Sequence, residues 1–110
     1  MTKKTKKLIG YCGVDSGSIM ITDPCYLGAW KDNEPFQEKE KGEDGNYSYR
    51  GACEKTCGND QAGQLLNEIG AKMAVVSTTG FGDGVYPVYA EYDQVSSKET
   101  RIKSLTIKFY

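Results

Sequence analysis

Between residues 77 and 84 the chain reads STTGFGDG, so Gly80, Gly82 and Gly84 alternate with Phe81 and Asp83 directly after three hydroxyl residues. Hydroxyls beside glycine amides are the parts from which anion nests are built, which makes Thr78, Thr79 and the backbone of residues 80–84 candidate phosphate contacts. No lysine follows the glycines and no helix pattern succeeds them, so a Walker loop is excluded. The competing reading is a turn between two strands, with glycines at positive φ and Asp83 bonding amides of its own loop.

Phe81, isolated between two glycines, suits contact with a ligand or partner better than it suits a core. Tyr26 and Trp30, which follow the dipeptide Asp23-Pro24, are further flat side chains on which a base could stack, and Arg50 or Lys72 could meet its phosphate. Tyr86 and Tyr89 belong to an apolar run and suit an interior strand equally well. Asp15, Asp23, Asp83 and Glu91 could hold Mg²⁺ for hydrolysis if both glycine turns and the Asp23-Pro24 strand end share one rim of a sheet. Their spacing matches no metal motif. Cys53 and Cys57 lie four apart without a second close pair, so free thiols are expected rather than a zinc site, and Cys12 and Cys25 do not change that.

The totals narrow the choice. There is no histidine in 110 residues, which removes the commonest general base and metal ligand. Fourteen basic and 15 acidic residues give a formal charge of -1, so no molecule-wide field draws the chain to DNA, RNA or an anionic membrane. The length is that of one domain. The opening MTKKTKKL is charged, but the apolar run 8–14 is broken by Gly10, Cys12 and Gly13 and ends at Asp15. Residues 1–7 are therefore expected to be a flexible basic tail rather than a signal peptide, with 8–110 a single domain in the cytoplasm.

The elements that must position these residues are mostly strands. Runs 9–14 and 18–22 read as a hairpin about the turn 15–17, and the second run stops at Asp23-Pro24 because proline cannot donate to a ladder. Residues 31–46 are charged and aperiodic, which predicts an exposed loop. Alternating bulk over 47–53 predicts a strand. Asn59 and Asp60 followed by Ala62, Leu65, Leu66 and Ile69 predict the one short helix, stopped by Gly70. Runs 71–78, 85–92 and 101–110 then predict an antiparallel meander, with 85–92 central because it is apolar on both faces. The expected fold is α+β, mainly β, with five or six strands in an antiparallel sheet or a small partly open barrel.

Two segments, VDSGSIMITDPCYL (14–27) and GFGDGVYPVYAEY (80–92), with the closing strand SLTIKF, resemble a family of small phage and bacterial proteins of unknown function marked by a glycine-aspartate-glycine motif. The context implied by that resemblance is similar to that of phage anti-defence sponges, oligomers that sequester the cyclic nucleotides of CBASS immunity. The expectation is a non-enzymatic binding protein, without a cofactor, that holds a cyclic dinucleotide at an interface between identical subunits. Its expected ligand contacts are Tyr26, Trp30, Arg50, Lys72, Thr78, Thr79, Gly80, Phe81, Gly82, Asp83 and Gly84. The alternatives are a metal-dependent phosphoesterase using Asp23 and Asp83, or a protein-interaction module that presents Phe81.

Overall fold

The computed structural model describes residues 4–32 and 44–110. They form seven strands, one α-helix and one 3-10 helix. In chain order these are β1 (Lys4–Val14), β2 (Ser18–Thr22), the 3-10 helix (Pro24–Ala29), β3 (Gly45–Asn46), α1 (Tyr49–Thr56), β4 (Ala62–Leu66), β5 (Lys72–Thr78), β6 (Gly84–Ser96) and β7 (Glu99–Ile107). The fold is α+β and mainly β, as expected. The strands lie in two sheets, ordered β1-β6-β7 and β2-β5-β4-β3, and no barrel closes.

The expected hairpin between 9–14 and 18–22 does not form. β1 pairs with β6 from Val14↔Gly84 outward, whereas β2 pairs with β5 from Ser18↔Thr78. The chain thus leaves the first sheet at 15–17 and returns to it at 79–83. For the same reason the glycine segment closes no hairpin, and only β6 and β7 of the expected meander pair with each other. β6 is central, as its two apolar faces predict. β1 begins at Lys4, so residues 4–7 of the expected tail are paired with β6.

Two elements exchange type. Of residues 47–53, expected as a strand, 49–53 enter α1, because the Ser48 hydroxyl accepts the Gly51 N–H at 2.9 Å and caps the first turn. Residues 62–66, expected as a helix, form β4, flanked by β5 on one side and β3 on the other. Spacings of three and four are ambiguous in so short a run, and cross-strand pairing decides it. The Asn67 side chain accepts the N–H groups of Ile69 and Ala71, so Gly70 belongs to the β4–β5 turn and caps no helix. Within the expected loop 31–46, Gly45 and Asn46 form β3, and residues 33–43 lie outside the described residues.

The core lies between α1 and the second sheet and contains Tyr47, Ala52, Leu65, Met73, Ala74 and Val76, with Met20 and Trp30 packed against it. Gly51 brings α1 onto β3. A Cβ there would sit 2.0 Å from the Asn46 carbonyl oxygen, so no larger residue fits without separating the two elements. Among the described residues no second layer of this kind packs on the first sheet.

Candidate functional site

β2 divides the expected ligand set into two groups. Its Ser18 end meets the corner where the chain changes sheet, and its Thr22 end leads into Asp23 and the 3-10 helix. The four intervening steps correspond to roughly 13 Å of strand. Thr78, Thr79, Phe81, Asp83 and the glycines belong to the first end. Tyr26 and Trp30 belong to the second, as do Lys72, across from Leu66, and Arg50 in the first turn of α1. The two groups do not meet within one chain. Asp15 and Asp83 flank the corner while Asp23 caps the 3-10 helix at the far end, so the shared rim needed by the phosphoesterase reading is absent. Among the described residues no three His, Cys, Asp or Glu side chains gather to hold a metal ion.

At the corner the hydrogen-bonding groups are largely satisfied from within. Thr79 is fully buried; its N–H donates to the Gly17 carbonyl at 3.2 Å, and its hydroxyl donates to the Gly82 carbonyl. The Tyr86 hydroxyl donates to the same Gly82 oxygen. The Phe81 N–H turns back to Thr79 O at 2.9 Å, and the Thr78 N–H donates to Gln61 O at 2.9 Å. Gly80 and Gly82 take φ of 79° and 99°, the left-handed region that lets so short a segment reverse between sheets. Asp83 is exposed and makes no hydrogen bond among the described residues, so the hydroxyls of Thr79 and Tyr86, rather than this carboxylate, close the turn. Phe81 is 77% exposed and rests on Tyr110, ring centres 4.6 Å apart.

The other end of β2 opens a cleft of about 740 Å³ between the 3-10 helix and the β4–β5 turn. Trp30 and Tyr47 form its aromatic side, packed edge to face with centroids 5.1 Å apart. Both rings are held by their polar tips: the Trp30 indole N–H donates to Asp32 at 2.8 Å, and the Tyr47 hydroxyl lies 3.0 Å from that of Thr22. Thr22 in turn donates to Met73 O at 2.9 Å, which ties the ring to the core strand. Asn46 and Asn67 add amides, and Lys31 reaches Glu68 across the cleft at 3.0 Å. That ion pair is open to solvent, where such pairs contribute little, so the ammonium can exchange its carboxylate for another anion at small cost. Of these residues the sequence points only to Trp30. Tyr47 and Asn67 come from segments whose type the local pattern misreads, and Lys31 and Glu68 join only through the fold.

Fold and site together define a small two-sheet α+β protein with an aromatic-walled cleft at one end of its second sheet and a hydroxyl-locked glycine corner at the other. The chain belongs to the DUF4241 family, described as proteins of unknown function, whose model matches residues 6–97. The match runs from β1 through β6 and so includes both the cleft and the corner. No curated protein and no solved structure matches the chain.

Proposed function

We propose that this protein is a non-catalytic binding protein that sequesters a cyclic nucleotide, and that the ligand lies in the Trp30 cleft. The observation that carries the reading is a rigid aromatic wall beside an exchangeable cation in a cleft of ligand size. Small-molecule sites run from about 300 to 1,000 Å³, and this one is about 740 Å³. A ring already fixed by Asp32 and Tyr47 loses little freedom when a base stacks on it. Lys31 would leave Glu68 for phosphate, while the Asn67 side chain, whose oxygen is taken by the Ile69 and Ala71 N–H groups, turns its amide donors to a base edge. The phosphate-loop role expected of residues 78–84 has less support, because the N–H groups of Thr78, Thr79 and Phe81 already have partners.

Trp30 is the sole tryptophan, so intrinsic fluorescence reports directly on the cleft. Titration with a panel of cyclic di- and trinucleotides should give saturable quenching by at least one member, lost in Trp30→Phe when followed by calorimetry and weakened in Lys31→Glu. Heat denaturation should then release that nucleotide intact. Cleaved product, or a panel that leaves both fluorescence and heat signal unchanged, would overturn the proposal.

A further inference from the structure

The β4–β5 turn places two opposite kinds of hydrogen-bonding side chain next to each other on the cleft. Asn67 is fixed by its own backbone: its N–H donates to Ala71 O and its carbonyl accepts the Gly70 N–H, both at 3.1 Å. Its Oδ1 accepts the N–H groups of Ile69 and Ala71 at 3.0 and 2.9 Å. Both lone pairs of that oxygen are then used, so toward a ligand Asn67 is a donor only. Glu68, the next residue, is the reverse, because a carboxylate only accepts. Its side chain is 86% exposed, so a ligand can reach both oxygens, and the Lys31 ammonium lies 3.0 Å from Oε1. Asn67, Glu68 and Lys31 all line the cleft.

A donor beside two acceptors is the complement of one nucleobase edge. Guanine presents O6, N1–H and an N2 amino group in a row, so Asn67 can donate to O6 while the two oxygens of Glu68 accept from N1 and N2. The corresponding edges of adenine, cytosine and uracil each carry a single donor group, which leaves one carboxylate oxygen without a base partner. Hydrogen bonds to an ionised group are the stronger kind, so the second bond to Glu68 is the one that separates guanine from the others.

The position of the carboxylate suits a base stacked on Trp30. Lys31 follows Trp30 in the chain and reaches Glu68, so the carboxylate stands within one lysine side chain of the aromatic wall. A guanine edge that takes the carboxylate displaces the ammonium, and the phosphate of the same nucleotide receives it. Reading the base and binding the phosphate thus exchange one solvent-open ion pair for two ligand contacts.

We infer that Glu68, together with Asn67, reads the Watson–Crick edge of guanine, so that the cleft takes guanine-bearing cyclic dinucleotides in preference to adenine-bearing ones. This rests on the proposed binding of a cyclic nucleotide in the Trp30 cleft and adds the identity of the base.

The test compares cyclic di-GMP, cyclic di-IMP and cyclic di-AMP by calorimetry on the full chain and on Glu68→Gln. Inosine differs from guanosine only in lacking the N2 amino group, so cyclic di-IMP isolates one bond to the carboxylate. In this open site that bond is set at the low end for a charged acceptor, and cyclic di-GMP should bind about tenfold more tightly than cyclic di-IMP and at least as far above cyclic di-AMP. Glu68→Gln keeps the size of the side chain but turns one acceptor into a donor. It should weaken cyclic di-GMP about tenfold and change cyclic di-AMP by less than roughly threefold, which a merely structural role for Glu68 would not do. Circular dichroism checks that the variant is folded. Equal affinity for the guanine and adenine ligands, or a Glu68→Gln loss of the same size for both, would refute the guanine reading while leaving sequestration in place. Binding of none of the three, nor of any other cyclic nucleotide, would refute the sequestration reading and this inference with it.

Discussion

Removing the Thr79 hydroxyl while keeping its shape is a direct test of how the two sheets are joined. In Thr79→Val the methyl replaces a group that donates to Gly82 O and lies 3.4 Å from Gly17 O. Neither carbonyl is orphaned: Gly82 O keeps the Tyr86 hydroxyl, and Gly17 O keeps the Thr79 N–H. The loss is therefore the net value of one hydrogen bond, about 1 kcal/mol. In a domain of this size that lowers Tm by about 4–6 °C. Tyr86→Phe should cost a similar amount, because the Thr79 hydroxyl then remains on Gly82 O. The double variant removes both donors, leaving the half-buried Gly82 carbonyl unpaired at a further cost of about 1–3 kcal/mol. Urea titrations of the four proteins, followed by circular dichroism, give the coupling from the cycle. Additivity within about 0.4 kcal/mol would refute the claim that the two hydroxyls share one acceptor. A single Thr79→Val loss above about 3 kcal/mol would refute the claim that each carbonyl keeps a second donor.

Gly51→Ala places a Cβ against backbone rather than a movable side chain, so a loss of about 3 kcal/mol or more, or failure to fold, is expected in far-ultraviolet circular dichroism and urea melts. A variant within 1 kcal/mol of the parent would contradict the close approach of α1 to β3. Leu65→Ala, at a fully buried site between α1 and the second sheet, should cost about 3 kcal/mol by the same titration, and a loss below 1 kcal/mol would place Leu65 outside the core.

The amino-acid sequence by itself determines the strands whose neighbours matter least to their recognition. β5, β6 and β7 are legible as β-branched and aromatic runs bounded by turns, and the central place of β6 follows from apolar residues on both its faces. The end of β2 at Asp23-Pro24 follows from proline chemistry alone. Trp30 is legible as a candidate contact because it is a large aromatic beside a strand end.

Pairing is a different matter, since it depends on residues far apart in the chain. Residues 15–17 and 79–83 have the composition of hairpin turns, yet each carries the chain from one sheet to the other; backbone ladders beginning at Val14↔Gly84 and Ser18↔Thr78 decide this. Residues 62–66 have helix spacing and become a strand because β5 and β3 satisfy their backbone on both sides. The candidate site follows the same logic. STTGFGDG has the parts of an anion nest, but Gly17, Gln61 and Tyr86 take up those groups from elsewhere in the chain. The cleft draws residues 28–31, 46–47 and 66–69 together, and no local pattern marks that set. Local composition specifies what a segment can do with its backbone and side chains. Which of those capacities remains open to a ligand is settled only when distant segments have taken their share of the hydrogen bonds and apolar surface.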